Sequence, residues 1–183
     1  MKIGRQVNGE DVPAFEREGY QVQEFANGVR CLLVRSSTDP IGLLVHLLGK
    51  ARGPVAFLYV LLLSRRGRNP QGRHESPYVS VSEAIDFLRR FGDFLSGDGR
   101  HELWIHCPDE FEIVYDHHER IWIYGDLELL ESWATEAGIP PEPLEPIPVP
   151  HSHHYHAEFD DEEDAVMAYW EWRTTPLRER DGE

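Results

Sequence analysis

Residues 101–126 read HELWIHCPDEFEIVYDHHERIWIYGD, and the fold class turns on how they are read. Leu103, Ile105 and Cys107 alternate with Trp104 and His106, and Ile121 and Ile123 alternate with Trp122 and Tyr124. A period of two belongs to a strand with one buried face, because successive side chains point to opposite sides. The interruptions at Pro108-Asp109-Glu110 and His117-His118-Glu119 are short enough for hairpins. The stretch therefore predicts an antiparallel meander over 102–107, 111–116 and 120–124.

Working outward, Asp126 is placed to cap a helix over 126–137, with Gly138 closing it. Upstream, Ser80 and Glu83 have capping-box spacing ahead of apolar positions at helical intervals, which predicts a helix over 80–96. Residues 21–35 carry Asn27-Gly28 between apolar runs, a hairpin signature. Residues 41–48 are apolar on every side. Asp39-Pro40 could cap a short buried helix there, but the strand-prone Val55, Phe57, Tyr59 and Val60 that follow favour a pair of strands over 41–48 and 55–63. Residues 65–79, with Gly67, Pro70, Gly72 and Pro77, read as a long loop. Residues 139–150 hold six prolines and predict an extended arm. Residues 160–172 predict a last helix with acids in its first turn. The expected fold is α+β: a largely antiparallel sheet of six or seven strands covered by helices 80–96, 126–137 and 160–172. Residues 1–138 form one domain in this reading. The arm 139–150 leads to a His-rich, acidic and aromatic segment, 151–183, docked on that domain.

The chain has 183 residues, of which 40% are hydrophobic and 28% charged. That suits one globular domain and excludes wholesale disorder or a fibrous protein. Two cysteines without a CxxC pair suit a reducing compartment. No apolar run approaches the ~18 residues of a membrane span, and the opening MKIGRQVNGEDVP has no apolar h-region, so the expectation is a soluble cytoplasmic protein.

The net charge of −15 is unevenly spread. Residues 1–92 carry 13 basic and 9 acidic groups, whereas residues 93–183 carry 5 basic and 24 acidic ones. Arg65, Arg66, Arg68 and Arg73 read as an anion-contact loop within residues 40–74, a stretch that contains no acid. The overall negative charge argues against nucleic acid as its counterpart, and leaves an intramolecular or protein partner.

Two constellations carry the functional expectations. In the first, Tyr155, Glu158, Asp160, Asp161, Glu162, Glu163, Trp170 and Trp172 place aromatics within an acidic rim. This suits a non-enzymatic module that recognises a basic protein and needs no cofactor. In charge and aromatic content alone, such a protein is similar to immunity proteins and antitoxins that neutralise basic nucleases. Self-association, with the basic loop against the acidic half of a neighbour, is a further reading. In the second constellation, His151, His153, His154 and His156 form two His-x-His pairs on opposite faces of an extended chain. Either pair could offer imidazoles to Zn²⁺ or a similar ion, with Asp160, Asp161, His117 or His118 completing the set. The alternative function is accordingly a metal-binding protein or metal-dependent hydrolase. Gly-x-Ser-x-Gly, His-Glu-x-x-His and phosphate-binding glycine loops are all absent from the sequence.

Overall fold

The computed structural model describes residues 1–36 and 38–182. Its centre is an antiparallel sheet of eight strands, built on the meander of β7 (His101–Cys107), β8 (Phe111–Tyr115) and β9 (Ile121–Gly125). On one side β9 pairs with β4 (Arg30–Arg35), which hairpins to β3 (Gly19–Glu24). On the other, β7 pairs with β5 (Ala56–Leu61), then β6 (Gly72–Glu75), then β11 (Arg173–Thr175) at the edge. A second sheet of three strands joins β1 (Ile3–Val7) to β2 (Glu10–Pro13) and to β10 (Ser152–His153).

One face of the large sheet is the core face. Phe57 and Tyr59, Leu103 and Ile105, and Ile113 are buried there against helices. These helices are α1 (Pro40–Leu48), α2 (Val81–Arg90), α3 (Gly92–Gly97), α4 (Leu127–Glu136) and α5 (Asp160–Met167). On the opposite face the register aligns Leu58, Trp104, Val114, Trp122 and Leu33 in one row. The small sheet lies across the strand ends: the Lys2 ammonium reaches the carbonyls of His101 and Asp116, and Phe15 stacks under Arg35 at 3.4 Å.

The α+β class and the antiparallel meander stand, but several local expectations are corrected. Residues 41–48 form α1, not a strand. Asp39 Oδ1 accepts the Gly42 N–H at 2.7 Å, Pro40 occupies the first turn, and Leu43, Leu44, Leu47 and Leu48 are buried together. The cap decides where periodicity could not. The loop 65–79 contains β6, whose polar Arg73-His74-Glu75 sequence is held between two neighbouring strands. The helix expected over 80–96 is two helices that meet at Phe91 and Gly92, although its capping box is present as read. The helix expected over 160–172 ends at Met167, and the chain continues into β11. Five α-helices, rather than three, and a three-stranded second sheet are present among the described residues.

Candidate metal centre

β8 ends against the start of β7, with Tyr115 opposite Leu103. Asp116 then organises the turn to β9. Its Oδ1 accepts the N–H groups of His118 and Arg120, both at 2.9 Å, and its Oδ2 accepts Arg120 Nε at 2.7 Å and Trp122 Nε1 at 2.9 Å. Burial alone would raise the Asp116 carboxyl; the Arg120 guanidinium and these donors outweigh it and hold it below the ordinary carboxylate range. A fixed, ionised Asp116 sets the geometry of His117 and His118, both buried.

The His117 ring meets Glu102 across the β7–β8 ladder, Nδ1 to Oε1 at 2.7 Å. Glu102 Oε1 accepts from Nδ1, which fixes the ring and turns Nε2 away from Glu102. β10 delivers His153 to the same place, because Ile3 pairs with His153 and the Lys2 carbonyl accepts the His154 N–H at 2.8 Å. Ring centroids lie 4.0 Å apart for His117 and His118, 4.7 Å for His117 and His153, and 4.9 Å for His118 and His153. One nitrogen from each of the three falls within 4.8 Å of the others. Nδ1 of His118 and Nδ1 of His153 are both buried without a hydrogen-bond partner. Such orphaned buried atoms are uncommon in native structures and mark a place where something else binds or strain is kept. Burial, then the neighbouring His117, pushes the His118 imidazole down to about 3 and that of His153 down to about 4. Both rings are neutral at pH 7, the form that ligates a metal.

The His-rich segment splits by face as its alternation predicts. His151 and His153 face His118, with ring centroids at 5.3 Å and 4.9 Å. His154 and His156 turn the other way and stack on each other at 5.8 Å. His154 Nε2 lies 3.1 Å from Asp11 Oδ2, and the His156 N–H is held by Asp98. Gly4 makes that approach feasible, since a Cβ there would meet both Asp11 Oδ1 and His154 Nε2 at 2.5 Å. His154 and His156 therefore lie outside the cluster, and Asp160 and Asp161 are engaged elsewhere.

Those acids meet the basic loop. Arg65 and Arg66 each reach Asp160 at 3.1 Å, Arg66 also binds Asp161, Arg68 binds Asp164 at 3.0 Å, and Arg73 pairs with Asp181. The centre of the network is a residue the sequence did not single out. Arg100 is fully buried and binds Asp98, Asp160 and Glu163 together. Of the expected partner-binding aromatics, Trp170 stacks on Phe87 at 4.5 Å, and the Trp172 indole donates to the Val166 carbonyl at 3.0 Å. Tyr155, Glu158, Asp161 and Glu162 remain exposed. Of this set, Asp160 and Glu163 are buried and Trp170 and Trp172 are partly buried.

A cavity of about 330 Å³ opens on the far face of the large sheet, beside Leu58, Trp104 and Tyr78. Its charged walls are paired already: Arg73 with Asp181, Glu75 with Arg173, and Glu112 with His106 at 3.5 Å. Glu102, two residues from Trp104 on the same strand face, was missed by the sequence reading. Its only signal there is an acid at an alternating position, which is common on strands.

The chain matches no protein-family model, no curated protein and no solved structure. What the site does is therefore argued from its own geometry.

Proposed function

We propose that the protein binds a divalent transition-metal ion, Zn²⁺ or a similar one, through His117, His118 and His153. The observation that carries this reading is three imidazoles from two distant chain segments with ligand atoms within 4.8 Å of one another. Imidazole suits Zn²⁺ and its neighbours in the first transition row, whereas Ca²⁺ and Mg²⁺ require oxygen. Ligand atoms about 2.1 Å from a shared tetrahedral ion would sit roughly 3.4 Å apart, so binding needs side-chain movement on the order of 1 Å. Glu102 supports the assignment, because a ligating histidine ordinarily donates its second nitrogen to a carboxylate or carbonyl. The buried Nδ1 atoms of His118 and His153 support it as well.

The test is metal content and calorimetry on the full chain. The parent protein should take up one equivalent of Zn²⁺ with saturable heat, and His118→Ala combined with His153→Ala should abolish that uptake. His154→Ala combined with His156→Ala should leave it unchanged. A parent protein with no saturable site ends the proposal.

A further inference from the structure

Three imidazoles with an open position describe a catalytic centre, whereas a fourth protein ligand closes the site and makes it structural. His151 decides between the two. Its Nδ1 donates to the Pro148 carbonyl at 2.9 Å, so Nε2 is the ring nitrogen that would ligate. Its ring centroid is 5.3 Å from that of His118 and 5.2 Å from that of His153, wider than the 4.0–4.9 Å within the trio, so His151 lies just outside the group of three and must move inward to ligate.

We infer that His151 is the fourth ligand, and that the closed four-histidine site is a clasp fastening the small sheet and the proline arm to the large sheet. This rests on the metal reading above. His117 and His118 sit in the turn between β8 and β9, rooted in the large sheet. His151 and His153 belong to the segment that supplies β10, the third strand of the small sheet.

The small sheet is tied to the large one by polar contacts of Lys2 and by Phe15 under Arg35, but it buries little apolar surface of its own. Its buried apolar residues are Ile3, Ala14 and Phe15, with Ile147 packed against them. β10 contributes two residues, and β2 is exposed at every position but Val12. Short sheets with so few buried side chains are marginal alone, and a structural metal is one of the usual remedies. The arm is tied to the large sheet as far as Ile147, through the Arg35 guanidinium on the Glu145 carbonyl and the Leu144 N–H on Gln21, but the last residues before His151 are loose. Its prolines lack N–H donors, and Val149 is 88% exposed. β1 and the turn also converge on the cluster, since Glu119 Oε1 accepts the Lys2 N–H at 2.6 Å. A metal at this point therefore joins the N-terminal strand, the β8–β9 turn and β10 at once. With four imidazoles around the ion no position remains for a water, so its role is structural and not hydrolytic.

Hydrogen exchange followed by mass spectrometry on the full chain, Zn²⁺-loaded against EDTA-treated, tests the clasp. Amides of residues 2–13 and 152–154 should exchange about tenfold faster without Zn²⁺, while those of β7 and β8 keep their protection. His151→Ala should lower Zn²⁺ affinity by about tenfold or more at unchanged stoichiometry. Two results overturn the clasp while leaving the metal reading intact: one-to-one Zn²⁺ binding with identical exchange in both states, or an affinity that His151→Ala does not change. Absence of saturable Zn²⁺ binding in the parent protein removes both.

Discussion

Replacing Arg100 with methionine probes the contact between the basic and acidic halves of the chain. The guanidinium is 0% exposed and makes five side-chain hydrogen bonds: two to Asp98, one each to Asp160 and Glu163, and one to the His156 carbonyl. Methionine fills much of the same space and removes every donor. Asp160 would keep Arg65 and Arg66, and Glu163 would keep Ser64 and Asn69. Asp98 would keep only the backbone N–H groups of Arg100 and His156. Removing one side of a buried ion pair costs ~3–5 kcal/mol, mostly because the orphaned charge stays buried. The surviving partners of Asp160 and Glu163 put the expected loss near the lower end, about 3–4 kcal/mol. At roughly 2–4 °C per kcal/mol for a chain of this size, Tm should fall by about 6–16 °C. Urea unfolding followed by tryptophan fluorescence measures the free energy, and calorimetry measures Tm. Arg100→Lys should fall between the two, since an ammonium has three donors and no planar fork. Adding Asp98→Asn to Arg100→Met should recover part of the loss, because it removes the most isolated carboxylate. A loss below about 1 kcal/mol, the scale of a solvated surface pair, would refute the view that Arg100 holds the C-terminal helix in place.

Glu102→Gln should weaken Zn²⁺ binding by ~10–100-fold, because the amide no longer fixes the His117 ring; calorimetric titration measures it, and unchanged affinity would remove Glu102 from the site. Acidification should destabilise the metal-free protein from about pH 6.5 downward. His101, His118 and His153 are all depressed in the folded state, chiefly by burial, so the unfolded chain takes up their protons first and gains stability by it. The slope approaches about 1.4 kcal/mol per pH unit for each histidine, and equal urea midpoints at pH 7 and pH 5 would contradict this. Trp170→Ala should cost about 3 kcal/mol, since the indole stacks on Phe87 and Phe57; a folded protein of parental Tm would instead return Trp170 to the surface. Asp161→Asn should change stability by less than about 1 kcal/mol, because its pair with Arg66 lies in solvent.

The meander was legible because Leu103, Ile105, Ile121 and Ile123 keep strict alternation over a half-exposed surface. Residues 41–48 were not, because α1 is apolar on its half-exposed face as well as on the buried face of Leu43, Leu44, Leu47 and Leu48, so no polar stripe reveals its period; the cap at Asp39 was the better signal. β6 and β11 hid behind Arg73, Glu75 and Arg173, charged residues whose partners lie about a hundred positions away. Half of the histidine cluster was visible as His151 and His153 on one face of an extended chain. The other half, His117 and His118, stood in the sequence only as one choice of completing ligands beside Asp160 and Asp161, and it is the pairing of β1 with β10 that brings the two pairs together. The segregation of charge was plain in the sequence. That Arg100 would be its buried pivot was not, because a lone arginine after Gly-Asp-Gly has no pattern to mark it.

The pairing of Arg66 with Asp161 spans 95 positions, which has a consequence during synthesis. At ribosomal rates of ~5–20 residues per second, the basic loop emerges roughly 5–20 s before the acids that neutralise it. During that interval the nascent chain presents an uncompensated cationic segment, and β6 lacks the strand that later covers its edge. The half-made protein thus has the opposite charge character from the finished one.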